Sequence, residues 1–168
     1  MKKIIVLLAS VFMLQACDDG DITLESFNFD TVTVQNCTTN NLVYKINRNE
    51  LLLLSIPETN FPNEVTVVGS PRIVNVNAEN RIVYRLYSDN VTSTTICSVL
   101  PPASPVVQKE WNATGGTIEI ITNAIYAADG ITITSYTHNI KFKNVNFSNP
   151  DNSFSFTEYI FGNYVTTL

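Results

Sequence analysis

After Cys17, apolar residues recur at every second position, and no apolar stripe at helical spacing competes with them. Successive side chains of a strand point to opposite faces, so this spacing predicts half-buried strands. Leu42, Tyr44 and Ile46 alternate with Val43, Lys45 and Asn47. Ile82, Tyr84 and Leu86 alternate with Val83, Arg85 and Tyr87, in a strand that leads through Asn90 toward Cys97. Ile118 and Ile120 flank Glu119 within Thr117–Thr122. Phe27 and Phe29, then Val32 and Val34, make an early β segment. Val65, Val67 and Val68 make another, followed by Ile73–Val76. Leu51–Leu54 is a continuous apolar run, which suits a strand covered on both faces, with a short buried helix as the open alternative.

The stretch from Ile131 to Phe147 breaks the two-residue rule twice. Ile131 and Ile133 are odd, Tyr136, Ile140 and Phe142 even, and Val145 and Phe147 odd again. A bulge inserts one residue and moves all that follow to the other face. Bulges or breaks near Ser135 and Asn144 are therefore expected to return these residues to the core. Leu100-Pro101-Pro102-Ala103-Ser104-Pro105 reads as a rigid connection and Thr114-Gly115-Gly116 as an isolated turn element. Asn149-Pro150-Asp151-Asn152 is a turn before a last strand pair over Phe154–Tyr164.

About nine short strands without strand–helix alternation predict an all-β fold. The expected architecture is a single antiparallel β-sandwich, immunoglobulin-like or jelly-roll-like, over residues 26–168. Composition agrees: 20 Asn and 19 Thr supply turn and strand formers. With 45% hydrophobic and 15% charged residues the chain is not of the disordered class. A net charge of -5 excludes a basic nucleic-acid binder.

The N-terminus reads as an address. Lys2 and Lys3 precede an uncharged apolar run, Ile4–Leu14, too short for a membrane-spanning helix of about 20 residues. Leu14-Gln15-Ala16-Cys17 resembles a bacterial lipobox, in which the Cys is acylated and becomes the first mature residue. The resemblance implies a lipoprotein signal peptide over 1–16 and palmitate-type acylation of Cys17, with an acidic tether over 17–25. The partner is then a membrane, through acyl chains that anchor firmly when there is more than one. An ordinary cleaved signal peptide is the alternative. Asp18, Asp19 and Asp21 after the Cys resemble the surface-export signal of Bacteroidota lipoproteins, the alternative being inner-membrane retention, which Asp directly after the Cys signals in enteric bacteria. These three acids lack the ligand-spaced loop of an EF-hand, so no metal is assigned.

With Cys17 lipidated, Cys37 and Cys97 remain, and an even pair in an exported chain reads as one disulfide, two separate buried thiols being the alternative. Catalytic signatures are missing. His138, the single histidine, shares the parity of Ile140 and Phe142, which places it on the core face as a structural residue. No Gly-x-Ser-x-Gly elbow or phosphate-cradling glycine loop accompanies it. Glu110, Glu119, Asp129 and Glu158 are scattered acids, and a glycosidase pair needs a spacing that sequence does not show. Trp111 with Tyr126 is a candidate aromatic platform for a sugar or peptide, the alternative being that Trp111 plugs one end of the sandwich. Tyr159, Phe161 and Tyr164 read as half-buried strand residues. Asp30-Thr31-Val32 resembles the O-glycosylation site of Bacteroidota exported proteins, which makes Thr31 the candidate acceptor.

Cys37 followed by Val43-Tyr44-Lys45-Ile46, Val83-Tyr84-Arg85 before Cys97, Pro101-Pro102, Glu110-Trp111, Gly116-Thr117-Ile118 and Tyr136-Thr137-His138 together resemble uncharacterised flavobacterium-like exported lipoproteins of Bacteroidota. The resemblance implies a disulfide-linked lipoprotein of the cell envelope and supplies no activity or cofactor. The expected function is a non-enzymatic module, lipid-anchored to the outer membrane and surface-exposed, binding an unknown protein or glycan. A periplasm-facing accessory subunit of an envelope complex, and a glycan-binding or glycan-active protein, are the alternatives.

Overall fold

A computed structural model describes residues 27–168. The signal peptide, Cys17 and the acidic cluster Asp18, Asp19 and Asp21 lie outside the described residues. Among the described residues no helix is long and apolar enough to cross a membrane. The fold is all-β and sandwich-like, with 54% of the described residues in strands and 6% in helix. Eight strands form one antiparallel sheet curled into a half-barrel. They are β1 (Gln35–Asn36), β2 (Leu42–Asn47), β3 (Glu50–Ser55), β4 (Arg72–Asn75), β5 (Arg81–Tyr87), β6 (Val107–Tyr126), β7 (Ile133–Ser148) and β8 (Ser153–Thr167). The order is β1-β2-β3-β5-β6-β7-β8, and β4 pairs with the far half of β6.

The alternation read from the sequence becomes two packed faces. Val43, Leu52, Leu54, Ile82, Tyr84 and Leu86 line the concave face with residues of β6, β7 and β8. Tyr44, Leu51, Leu53, Val83 and Tyr87 point the other way into a second cluster with Cys37 and Val91. β3 is therefore covered on both sides, as its unbroken leucine run predicts. Each of these fully buried leucines stabilises by roughly 1.5–3 kcal/mol relative to an exposed one. A five-residue helix, α1 (Ser93–Cys97), lies over this convex face, with Ile96 and Cys97 packed against the second cluster. Thr92 caps it, its hydroxyl accepting from the Thr95 amide. At five residues it is too short to show an apolar stripe at helical spacing in the sequence.

β6 is one strand of 20 residues, and Thr114-Gly115-Gly116 is a distortion inside it rather than an isolated turn. Gly116 has φ +102°, and a Cβ there would sit 2.6 Å from the Asn144 carbonyl oxygen. Asn144, on the facing strand, has φ 51°. At this crease the core-facing parity inverts. On β6 it passes from Trp111 to Ile118 and Ile120, and on β7 from Ile140 and Phe142 to Val145 and Phe147. On β8 it passes from Phe154 and Phe156 to Tyr159 and Phe161. The break expected near Asn144 is present. The one near Ser135 is present as a register shift at Ile133, but it does not bring Ile131 inward: Ile131 stays in the exposed turn before β7.

Three further expectations are corrected. Phe154–Tyr164 belongs to a single strand, β8, not a pair. Val65, Val67 and Val68 form no strand and are exposed; Thr66 ties the segment to β6, its amide donating to the Thr122 carbonyl, and the Val67 carbonyl accepts from Ser70 in a turn. Phe27–Val34 is also not a strand. It turns at Asp30-Thr31, and its side chains fill the mouth of the half-barrel, Phe27 meeting Phe29, Tyr84, Phe156 and Tyr159 at 4.8–5.3 Å between ring centroids.

Candidate functional site

The two ends of the sheet order, β1–β2 and β8, face each other across a cleft of about 290 Å³. One wall is Asn36–Thr38 and Asn40–Val43. It is held by the Cys37–Cys97 disulfide, with Cα atoms 5.4 Å apart, and by the Cys37 amide donating to the Leu42 carbonyl. Asn40 closes the loop, its Oδ1 accepting from the Leu42 amide at 3.2 Å. Ile56 and Glu58 form the adjoining wall, the latter on a single 3₁₀ turn, Glu58–Asn60, closed by the Phe61 amide donating to the Glu58 carbonyl. Phe61 and Tyr164 make an aromatic floor with ring centroids 5.0 Å apart in an edge-to-face arrangement. Burial first, and the Glu58 carboxylate second, push the Tyr164 phenol above its usual range.

Three wider surface hollows, of about 430–530 Å³, differ in chemistry. In each of them a principal polar pair is already engaged: Arg81 with Asn112, Arg85 with Glu110, Ser93 with Gln35. The cleft instead gathers three carboxamides, Asn36, Asn40 and Asn41, with the Glu58 carboxylate and the Tyr164 hydroxyl around an aromatic pair. That is what singles it out as a binding site.

Directly beneath the floor lies His138, fully buried, its ring 5.3 Å from Phe61 and 5.9 Å from Tyr164. Its hydrogen bonds fix the tautomer. The Thr167 carbonyl can only accept, so Asn63 gives it Nδ2 and turns Oδ1 toward Thr166. The Thr166 hydroxyl spends its proton on that oxygen, at 2.7 Å, and must accept from His138 Nε2, at 2.9 Å. Nδ1 is then the acceptor for the Thr122 hydroxyl, also at 2.9 Å. Burial, and secondarily the Arg72 charge, lower its pKa to about 4. The ring is neutral, buried and engaged at both nitrogens, which makes it a support for the cleft floor.

The other sequence-derived candidates lie apart. Trp111 is buried, stacked on Tyr84 at 5.1 Å, with Nε1 donating to Asn152. Tyr126 is exposed at the opposite end of the same strand. The structure does not bring the two together as a platform, because a strand advances about 3.3 Å per residue. Thr31 is exposed in its turn. Cys37 and Cys97 are joined. Glu110 holds Arg85 at 2.6 Å, with amide help from Asn112, and its carboxyl lies below the usual carboxylate range for those reasons despite desolvation. Glu158 is bracketed by Lys141 and Lys143 on the outer face. Asp129 accepts the Ile131 and Thr132 amides in a turn. These acids serve local structure in separate places. The sequence reading missed the cleft, because its residues come from four segments that only the curl of the sheet brings together.

Comparison with protein-family models, with curated proteins and with solved structures finds no match to this chain.

Proposed function

We propose that the chain is an exported lipoprotein, anchored to the outer membrane by acyl chains on Cys17, whose β domain faces outward and binds a partner without catalysing a reaction. The observation that carries this is the Cys37–Cys97 disulfide, which persists in an oxidising compartment and accords with the lipobox-like sequence before Cys17. The non-enzymatic part rests on the chemistry present. The one imidazole has both nitrogens engaged in the interior, and Glu110 and Glu158 are ion-paired. A neutral, doubly bonded imidazole cannot take up a proton at the surface without breaking its support. Asp18, Asp19 and Asp21 support outward export.

Intact-mass analysis of the protein purified from membranes tests the anchor. The expected result is a mature start at Cys17 carrying acyl mass, with Cys17→Ser left unacylated and released from membranes. An unmodified start downstream of Cys17 would overturn the reading. Protease added to intact cells should cut the domain; if it is cut only after lysis, the outward placement is wrong.

A further inference from the structure

The seam cleft has the chemistry of a small neutral polyol site, and we propose that it binds a single sugar ring or a polyol of that size. This rests on the reading of the chain as a binding module and names the class of ligand it takes.

Size comes first. A volume of about 290 Å³ is at the lower limit for small-molecule sites, which excludes an oligomer lying within it but admits one ring. Charge comes second. Among the described residues Glu58 is the only charged residue that lines the cleft; Arg72, the nearby cation, does not line it and donates to the Asn60 carbonyl, so a phosphate or carboxylate would meet an acidic lining. Hydrogen-bonding capacity comes third. Asn41 brings a carboxamide that carries donors and an acceptor together, Asn40 keeps its Nδ2 and Asn36 its Oδ1 beside their bonds to Leu42 and Cys37, and Tyr164 brings a hydroxyl that does both. An ammonium ion offers donors alone and would leave the amide N–H groups unanswered. A ligand hydroxyl donates and accepts, and so answers Glu58, Asn41 and Tyr164 alike.

The floor is the fourth element. The half-buried Tyr164 ring offers surface to the C–H face of a sugar, and the buried Phe61, edge-to-face with it, and His138 hold it in place. The walls are pre-organised. The disulfide, the Asn40 turn and the 3₁₀ turn at Glu58 fix three of the four segments, so little ordering entropy is lost on binding.

The test is a titration of the full mature chain in detergent, followed by amide and side-chain NMR. The probes are glucose, galactose, mannose, N-acetylglucosamine and glycerol, with tetramethylammonium and inorganic phosphate as comparators. The expected result is saturable shifts, confined to Asn36–Val43, Glu58–Phe61 and Tyr164, with at least one neutral probe. Asn41→Ala and Tyr164→Ala should each weaken that binding about tenfold while leaving the unbound spectrum elsewhere unchanged. Should Tyr164→Ala unfold, Tyr164→Phe, which keeps the ring and loses only the hydroxyl, gives the same reading with a smaller loss. No saturable shift into the tens of millimolar, shifts away from the cleft, or a preference for tetramethylammonium or phosphate would each overturn the proposal. Acylation is read by mass on the same sample, so an anchored chain that takes no polyol refutes this inference and leaves the anchor standing.

Discussion

His138 shows how a single side chain can be read from parity before its role is visible. It shares a face with Ile140 and Phe142, and the structure buries it with them. What sequence did not reveal is that two threonines from the neighbouring strands, Thr122 and Thr166, meet its two nitrogens. The pH dependence follows in sign. The folded pKa, about 4, lies below the ordinary 6.5, so between these values the unfolded chain binds a proton that the folded chain refuses. Stability from this group is complete above pH 6.5, falls as pH drops toward 4, and loses nothing further below that. The loss is on the order of 3 kcal/mol. Denaturant unfolding at steps across this range should show the decline, and His138→Gln should flatten it. An equal slope in both proteins would assign the decline to other groups.

At the level of elements, the crease decides the fold. The parity changes in β7 were legible, because Val145 and Phe147 stand out of phase with Phe142. The matching distortion in β6 has the sequence of a turn, since two adjacent glycines in a polar stretch look alike in either setting. Only the pairing of β6 with β7 distinguishes them. Gly116 needs its positive φ, and its missing Cβ leaves room for two carbonyls of the facing strand. Gly116→Ala should therefore cost more than about 2 kcal/mol in denaturant unfolding, from backbone strain and the clash together. Gly115, whose added Cβ would meet open space, is the control: Gly115→Ala should stay within about 0.5 kcal/mol. Comparable losses at both positions would mean that the crease depends on flexibility rather than on this close approach.

Over the whole molecule, the Cys37–Cys97 link ties α1 and the convex cluster to the wall of the cleft. It spans 60 residues, and in the chain-entropy account closing such a loop stabilises by about 4 kcal/mol. Unreduced protein should resist thiol alkylation at both cysteines. Reduction should lower the unfolding midpoint and broaden the resonances of Asn36–Asn41 before those of β6–β8. Loosening that began in the long strands instead would show that the wall does not depend on the bridge.

The class of fold, the two faces of β2, β3 and β5 and the core position of His138 are legible along the chain, and the even count of remaining cysteines points to their pairing. Each follows from a period of two or from the chemistry of a residue type, both of which act along the chain. The tertiary structure alone decided that one sheet curls until its first and last strands face each other. It also separated Trp111 from Tyr126 and gathered Asn41, Glu58, Phe61 and Tyr164 around one cleft. Curl is the sum of twist and bulge over many paired strands. A juxtaposition between the ends of such a sheet is set by all of those pairings at once and leaves no mark at any one position.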